Sequence, residues 1–524
     1  MKLRKYQKEC LQAMFKDAKG RIILPTGSGK SYIALEHIST RIQKYGAKVS
    51  VVFVPRIMLA KQWLIKAATV LIKNKGLNVN FINLNSGGVS QQITNEIEKC
   101  LYEHGLPVVP IESSTDSQKI KSKVNFLMYN KKCDHVVIFC TYHSWQVLAT
   151  ANLFIDTIIY DECHYLVASN DFFGCLDISS DYKYPMTATQ RFTDSDDGKG
   201  MNNKDAFGPI IFEKKPIELI KTGAILAPRV HIVGINGIIK PRAYNDWSEL
   251  IYNSFLKHKK HIKDISSEPD KIGAKVLILC NGQLNLQGIF ESSRFKEIRK
   301  ENPNLKIFGL CSDFGIEYDG TYYSPPVSAS MKEEFLSSVS SLDDNDDALI
   351  FHIDMIGEGL DVPGITGVMF LRNTGIIKSL QNLGRGTRLH HLDSKRIENK
   401  ELAVEDYVNY IKPYCHVILP YCTTDSDDFL ERNVNLLEAL RSDYGFDPSE
   451  HIIIDNISPG QEGPKFEEDE IKRQIRGIVT NQITQFYHEI EEGQWSGEQL
   501  LFRYHFNTLS QDGIAKIIRN LAEG

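Results

Sequence analysis

One hydrophobic rhythm runs through this chain twice. RIILP (21–25), VSVVFVP (49–55), NVNFINL (78–84), HVVIFCT (135–141) and IDTIIYDE (155–162) are short apolar runs rich in β-branched residues. Runs of that length with little polar alternation predict strands buried on both faces. Between them, GKSYIALEHISTRIQKYG and IMLAKQWLIKAATVLIK carry apolar residues at helical spacing. Strands and helices alternating this way build a parallel sheet covered by helices. The rhythm restarts at PRVHIVGI (228–235) and continues through AKVLILCN (274–281), NLKIFGLCS (304–312), DALIFHID (347–354), GVMFLRN (367–373) and HVILPYC (416–422). The expected class is therefore α/β, with the same architecture occurring twice and no residue-level repeat.

A chain of 524 residues exceeds what one core ordinarily holds. We expect a first sheet domain over 1–225, a second over 226–425, and an accessory region over 426–524. From about residue 430 the pattern turns polar and mainly helical, with EEDEIKRQIRGIVTNQITQFYHEIEEG its clearest helix. Acidic loops such as DSDDGKG (194–200), DDNDD (343–347) and DSDD (425–428) read as solvated turns.

Hydrophobic residues make up 42% of the chain and charged ones 24%, the balance of a soluble globular protein. No apolar run is long enough to span a bilayer, and MKLRKYQKEC lacks the apolar core of a signal peptide. A cytoplasmic protein without membrane partners is expected. A net charge of −5 advertises no basic field, yet it does not exclude nucleic acid, for which a local basic track suffices. The ten cysteines are scattered without a CxxC pair and read as reduced thiols. Cys415, His416 and Cys422, with His390 and His391, are the one conceivable metal cluster, and buried thiols beside strand residues are the preferred reading.

The chemistry is concentrated in ILPTGSGKSYIAL (23–35). A glycine-rich turn between a strand and a helix holds phosphate on backbone N–H groups and the helix N-terminus. In that arrangement Thr26, Gly27, Ser28 and Gly29 form the cradle, Lys30 reaches the β and γ oxygens, and Ser31 ligates Mg²⁺. The strict pattern has Gly where Leu24 stands. Support comes from IIYDECHYL, in which two acids end an apolar strand. Acids there are costly unless they face a ligand. Asp161 is expected to hold Mg²⁺, Glu162 to orient and deprotonate the attacking water, and His164 to act as a polar sensor. ATP and Mg²⁺ are the implied cofactors.

The order of motifs resembles a superfamily 2 helicase of the DExH type over about residues 3–422, and in particular its XPB-like, restriction-motor and phage UvsW-type groups. LRKYQ (3–7) is similar to their entry motif, which gives Gln7 the adenine contact; these groups also accept Leu before LPTGSGKS's proline. VPRIMLAKQW (54–63), CTYHSW (140–145), DECH (161–164) and MTATQR (186–191) resemble motifs Ia, Ib, II and III. FGPIIFEKKPIELIKTGAILAPRV (207–230) looks like the connector between two motor domains. GEGLDVPGI (357–365) is similar to motif V and QNLGRGTRLH (381–390) to motif VI.

The resemblance implies two tandem RecA-like domains plus the helical C-terminal region, with ATP hydrolysed at the interface of the two domains. It implies that Gln381, Arg385 and Arg388 act on the γ-phosphate, that Gly359 and Asp361 join the nucleotide site, and that Thr187 and Thr189 couple hydrolysis to movement. It places nucleic-acid phosphates on Arg56, Thr141, Ser144, Gly282 and Gly357. Such contacts read the backbone without sequence preference. Trp145 is either a base-stacking residue or a core tryptophan, and KHKKHIK (257–263) either a basic track or a solvated face.

The resulting expectation is a nucleic-acid-dependent ATPase acting as a DNA helicase or translocase. The alternatives are the motor subunit of a restriction or defence nuclease, an RNA helicase, and a nucleic-acid sensor. Asp455 after HIII, with EIK (470–472), imitates a nuclease spacing, but EIK falls in a helical pattern. Residues 85–133 are an inserted element of either nucleic-acid-contacting or purely surface character. The C-terminal region is a candidate docking site for a protein partner, and the compact chain resembles small helicases of phages and mobile elements.

Overall fold

The computed structural model describes residues 3–457 except 47, 90, 168–169, 193–198, 236–242, 281–282, 312–314, 319–320, 324–328, 353–361, 372–375, 423–435, 438–439, 441–442 and 446–451. The chain divides into two compact units, Met1–Lys214 and Lys215–Gly524. The division falls inside the 207–230 connector, ahead of the boundary expected at 225.

The first unit is built on an eight-stranded sheet. Its strands are β1 (Arg21–Ile23), β2 (Val49–Val54), β3 (Val79–Leu84), β4 (Glu112–Ser113), β5 (His135–Thr141), β6 (Thr157–Asp161), β7 (Tyr182–Thr187) and β8 (Ile210–Glu213). They lie in the order β4-β3-β5-β2-β6-β7-β1-β8, and every pairing is parallel. The five apolar runs of the sequence form β1, β2, β3, β5 and β6, and β2, β5 and β6 are buried along their whole length. Such continuous burial is what a parallel sheet covered on both faces requires.

Helix Lys30–Tyr45 follows β1 and buries Ile33, Ala34, Leu35 and Ile38 before Gly46 ends it in the left-handed conformation. The helix is clamped to the sheet by an ion pair. Arg41 Nε lies 3.1 Å from Asp156 Oδ1 and its Nη2 2.6 Å from Oδ2, with 11% and 7% of the two side chains exposed. Helix Ile57–Ala67 continues through a π-helical turn at Ala68–Lys73, so the second helical run of the sequence is one bent element. The insertion is more than a surface excursion. It adds helix Gln91–Glu103, edge strand β4 and helix Ser117–Tyr129, and it buries Ile97, Leu101, Ile120, Val124 and Leu127.

The second unit carries a nine-stranded sheet. Its strands are β9 (Pro228–Ile235), β10 (Lys275–Leu279), β11 (Lys306–Cys311), β12 (Gly315–Tyr318), β13 (Thr321–Tyr323), β14 (Ala348–His352), β15 (Gly367–Phe370), β16 (Cys415–Cys422) and β17 (Ile452–Ile457). Their order is β13-β12-β11-β14-β10-β15-β16-β9-β17. The β11–β12 and β12–β13 pairs are antiparallel, and the others are parallel. Two features depart from the sequence reading. The edge hairpin β12–β13 was not expected, and β17 lies beyond residue 425, pairing in parallel with β9. Ile452–Ile454 therefore belong to the second sheet, with Asp455 inside the strand opposite Val233; residues 470–472 lie outside the described residues, as does the helix expected over 467–493.

Among the described residues, no helix is long and apolar enough to cross a membrane. Among the described residues, the thiols of Cys10, Cys133, Cys140, Cys163, Cys175 and Cys415 are free and buried.

The Arg41–Asp156 clamp can be tested directly. Burial pushes the Asp156 carboxyl up, but hydrogen bonds from Arg41 and Thr157 and the guanidinium charge outweigh it and hold it below the usual value. Its stabilising effect is present above the unfolded value near pH 3.8 and is lost as pH falls through the lowered folded value. Arg41→Met should cost about 3–5 kcal/mol at pH 7 by leaving a buried charge uncompensated. The loss should be read by hydrogen exchange on β6 under urea, and the gap from the unaltered protein should narrow below about pH 4.

Candidate functional site

β1 ends in a turn whose backbone suits glycine alone at two places. Gly27 and Gly29 have φ of 83° and 85°, in the region that a Cβ disfavours. A Cβ on Gly29 would also stand 2.6 Å from Gln7 Nε2. Helix Lys30–Tyr45 starts directly after Gly29, so its first N–H groups open onto this loop. Lys30 is folded back, its Nζ donating to the carbonyls of Leu24 at 2.9 Å and Pro25 at 3.4 Å. Leu24, the departure from the strict pattern, is fully buried and supplies one of those acceptors.

Gln7 sits against the same loop. Its Oε1 accepts from the Arg4 N–H at 2.9 Å, and its Nε2 donates to the Ser28 carbonyl at 3.0 Å, which Tyr6 also reaches at 2.6 Å. The Thr26 and Ser28 hydroxyls are buried without a hydrogen bond. Buried hydroxyls without partners are costly, and here they lie in a loop whose N–H groups and lysine suit phosphate. Ser31 is half-buried at the start of the helix. The residues present fit a nucleotide triphosphate with Mg²⁺.

Asp161 closes β6 at the carboxyl edge of the sheet and is 7% exposed. Its Oδ2 accepts from the Trp63 indole at 2.7 Å, and its backbone carbonyl accepts from the Tyr142 hydroxyl at 2.8 Å. Burial, reinforced by Glu162, raises the Asp161 carboxyl to about 6, against the pull of Lys30 and Trp63. Glu162 has φ of 51°, a conformation costly for a side chain of its kind and concentrated at functional sites. Its Oε2 is buried without a hydrogen bond and lies 3.5 Å from His164 Nδ1.

The His164 ring connects the acids to β7. Thr187 Oγ1 donates to the Thr189 carbonyl at 2.8 Å and accepts from the Thr189 N–H at 3.2 Å. Its proton is thereby used, so His164 Nδ1, 2.9 Å away, is the donor to it. Burial, with the charges of Arg191 and Lys30, lowers His164 to about 3, so the ring is neutral at physiological pH. Gln190 is held by the buried Arg21 at 3.1 Å. The structure thus brings together Gln7, the loop, Lys30, Asp161, Glu162, His164, Thr187 and Thr189 in the first unit. Trp63 was missed as a site residue, although its motif was quoted; only the register of helix and strand shows it reaching Asp161.

Arg56 is exposed at the N-terminal end of helix Ile57–Ala67. Thr141 and Ser144 are buried at 4% and 9%, with their hydroxyls 3.1 Å apart. Trp145 is half-buried, packs on the hydrophobic core and donates to the Asp171 carbonyl at 2.7 Å. In the second unit Gln381 and Arg385 lie buried on helix Ile376–Gly386, with Arg388 half-buried just after it. Lys412 Nζ donates to the Gly386 and Arg388 carbonyls at 2.6 and 2.7 Å. The basic run 257–263 lies in helix Tyr244–Ile265 and is partly core, with His258 and Ile262 buried. Gly282, Gly357, Gly359 and Asp361 lie outside the described residues.

The raised Asp161 carboxyl gives a stability prediction. Its protonated form is favoured in the fold, so that contribution is complete below the unfolded value near 3.8 and is lost as pH rises through about 6. Asp161→Asn should therefore raise the unfolding free energy by about 1–3 kcal/mol at pH 8. The advantage should shrink by pH 5. Urea unfolding at both pH values, without nucleotide, measures it, and a variant less stable at pH 8 contradicts the account.

Comparison with known proteins agrees with this geometry. Residues 1–192 match the family model described as type III restriction enzyme, res subunit. The DNA 3'-5' translocase XPB2 of Sulfurisphaera tokodaii is 24% identical over 424 residues, covering 78% of this chain and 83% of that protein. The fold resembles that of the ATP-dependent type ISP restriction-modification enzyme LlaBIII bound to DNA, with a TM-score of 0.63, 16% identity and 92% of this chain covered. LlaGI of the same type, in complex with a DNA substrate mimic, gives 0.54 at 16% identity over 95% of this chain. The chain spans only about a third of those two enzymes, 33% and 34%. Motif series, family model and relative agree with a superfamily 2 helicase, and the fold is shared with the two type ISP enzymes.

Proposed function

We propose that this chain is a DNA-stimulated ATPase that moves along the duplex or strand it holds. The observation that supports it best is the grouping of Lys30, Asp161 and Glu162 at one sheet edge, beside a loop with two unsatisfied hydroxyls. On this reading, Lys30 exchanges the carbonyls of Leu24 and Pro25 for phosphate oxygens, and Gln7 contacts the adenine. Bound Mg²⁺, held through Ser31 and Asp161, would neutralise charge developing on the phosphates. Glu162 is placed to receive a proton from water. His164, as a neutral donor to Thr187, links the acids to Thr187 and Thr189, so a change at Glu162 reaches the end of β7.

Gln381, Arg385 and Arg388 are assigned to the γ-phosphate, where guanidinium groups stabilise the charge that develops during transfer. Gly359 and Asp361 are assigned to the nucleotide, and Gly282 and Gly357, with Arg56, Thr141 and Ser144, to the phosphodiester backbone. DNA is favoured over RNA because the named relative is a DNA translocase. A second reading, the motor of a larger restriction or defence nuclease, draws on the likeness to LlaBIII; in that case DNA cleavage needs a partner. Residues 426–524 are the proposed docking region for such a partner.

ATP turnover should be low alone and rise several-fold with DNA, more than with RNA. Lys30→Ala should abolish it, and Arg388→Ala should lower kcat by a factor of about 100–1,000 while nucleotide binding persists. Displacement of a triplex-forming strand distinguishes translocation from switching. Equal turnover with and without nucleic acid would remove the basis for a motor. Because the Asp161 carboxyl of the nucleotide-free protein is raised to about 6, kcat/KM for ATP should fall about tenfold per pH unit below that value; a flat kcat/KM profile from pH 5 to 8 contradicts the requirement for an ionised Asp161.

A further inference from the structure

The second unit contains a cluster that the nucleotide chemistry does not use. β9 and β16 are parallel neighbours, with His416 opposite Arg229 and Ile418 opposite His231. His231 and His416 are therefore two register positions apart and stand on the same face of the sheet. Helix Tyr244–Ile265 packs on these strands and carries His258 and His261, three residues apart on one side of the helix. His231, His258 and His416 are fully buried, and His261 is half-buried. The His416 ring centroid lies 5.0 Å from that of His258, 5.1 Å from His261 and 5.8 Å from His231. One nitrogen from each of His231, His258 and His416 lies within 4.8 Å of the others.

One assignment of the ring protons satisfies all of the hydrogen bonds here. Thr366 Oγ1 donates to the Lys275 carbonyl at 3.2 Å and accepts the Lys275 N–H at 2.9 Å. With the hydroxyl proton on the Lys275 carbonyl, His258 Nε2, 2.8 Å from the same oxygen, is the donor to it. His258 Nδ1 is then a bare lone pair, and His416 Nδ1, 3.0 Å away, must carry the proton between them. That leaves His416 Nε2 as a lone pair that is buried without a hydrogen bond. Burial, with the neighbouring histidines, holds His258 and His416 well below the ordinary value, so both rings are neutral. Neutral imidazoles with bare nitrogens are metal ligands that need not first lose a proton.

We propose that His231, His258 and His416, with His261 as fourth ligand, bind a divalent transition metal of the zinc class that locks helix Tyr244–Ile265 onto β9 and β16. A tetrahedral zinc with bonds of about 2.0–2.1 Å needs ligand nitrogens about 3.4 Å apart. The His258–His416 spacing opens slightly to reach this, and the nitrogens now up to 4.8 Å apart close by ring rotation. If His416 binds through Nδ1, its proton moves to Nε2; the ring stays neutral and no proton is released. The Thr366 hydroxyl supplies the outer hydrogen bond that orients His258, as outer partners of metal-binding histidines do. The charge that opposes a cation here is that of Lys412, whose amine is already engaged by two carbonyls and whose pKa is lowered by burial to about 8. A wholly nitrogen ligand set favours zinc and its late first-row neighbours over magnesium or calcium.

The full chain, stripped with chelator and then titrated with Co²⁺, reports the site directly. We expect the intense visible absorption of tetrahedral cobalt, saturation at one equivalent, displacement by Zn²⁺, and a Tm higher by about 5 °C with excess zinc. His416→Asn should abolish the band. His261→Gln, at the half-buried position, should keep the fold and weaken binding at least tenfold. A second set, Asp344 with His390 and His391, also comes within 4.8 Å, so Asp344→Asn is the control and should leave the band intact. Absence of the band and of the Tm shift in the unaltered chain would make the histidines a neutral core stack and overturn the proposal. Loss of the band in Asp344→Asn would overturn it too, by placing the metal at the other set.

Discussion

The structure of the first unit turns on one buried charge. Asp161 is almost inaccessible, yet it ends a strand whose other members are uncharged. A carboxylate there requires neighbours that hold it, and the fold supplies Trp63 from one helix and Lys30 from the start of another. Both neighbours, the Trp63 donor and the Lys30 charge, depend on the parallel topology. Helix Lys30–Tyr45 and helix Ile57–Ala67 follow β1 and β2, so both begin at the same sheet edge at which β6 ends. Parallel order makes that edge a row of helix starts, and therefore the place where acids, lysine and phosphate can meet.

What holds that edge in readiness is strain and under-satisfaction. Lys30 rests on two carbonyls of its own loop, Glu162 takes a left-handed backbone, and the hydroxyls of Thr26 and Ser28 have no hydrogen bond. The left-handed Glu162 and the unsatisfied hydroxyls raise the energy of the free protein, while the Lys30 bonds hold its ammonium inside the loop. The Arg41–Asp156 clamp and the buried strands β2, β5 and β6 supply stability elsewhere in the unit. A nucleotide that satisfies the loop then gains what the empty loop lacks, which is how binding energy becomes a conformational preference.

The sequence carried the strands and the phosphate loop because both are local. A buried parallel strand needs only a short β-branched run, and a phosphate turn needs glycines next to lysine and a hydroxyl. Gln7, Asp161 and Glu162 were legible for the same reason, through the contiguous motifs that contain them. Trp63 was not, since its bond to Asp161 joins residues 98 positions apart and depends on how helix Ile57–Ala67 rests against β6. β17 escaped because HIIIDNI is isolated between polar stretches, and its membership in the second sheet is decided by β9, which offers it an open edge. The insertion escaped too: its apolar residues are spaced helically but sparsely, and only packing shows that Ile97, Leu101 and Leu127 reach the core.

The histidines mark the limit of such local reading most sharply. His416 had been grouped with Cys415, its neighbour in sequence, and with His390 and His391 upstream. In a strand, adjacent residues face opposite sides, so Cys415 and His416 cannot serve one site without distortion. The partner of His416 is two register positions along the next strand, at His231, and across the packed helix, at His258 and His261. Parallel pairing creates that face, and a helix of suitable length covers it. The two sheets therefore use one architecture in different ways. The first concentrates polar groups at its carboxyl edge, beside the phosphate loop; the second gathers four imidazoles between sheet and helix, away from that chemistry.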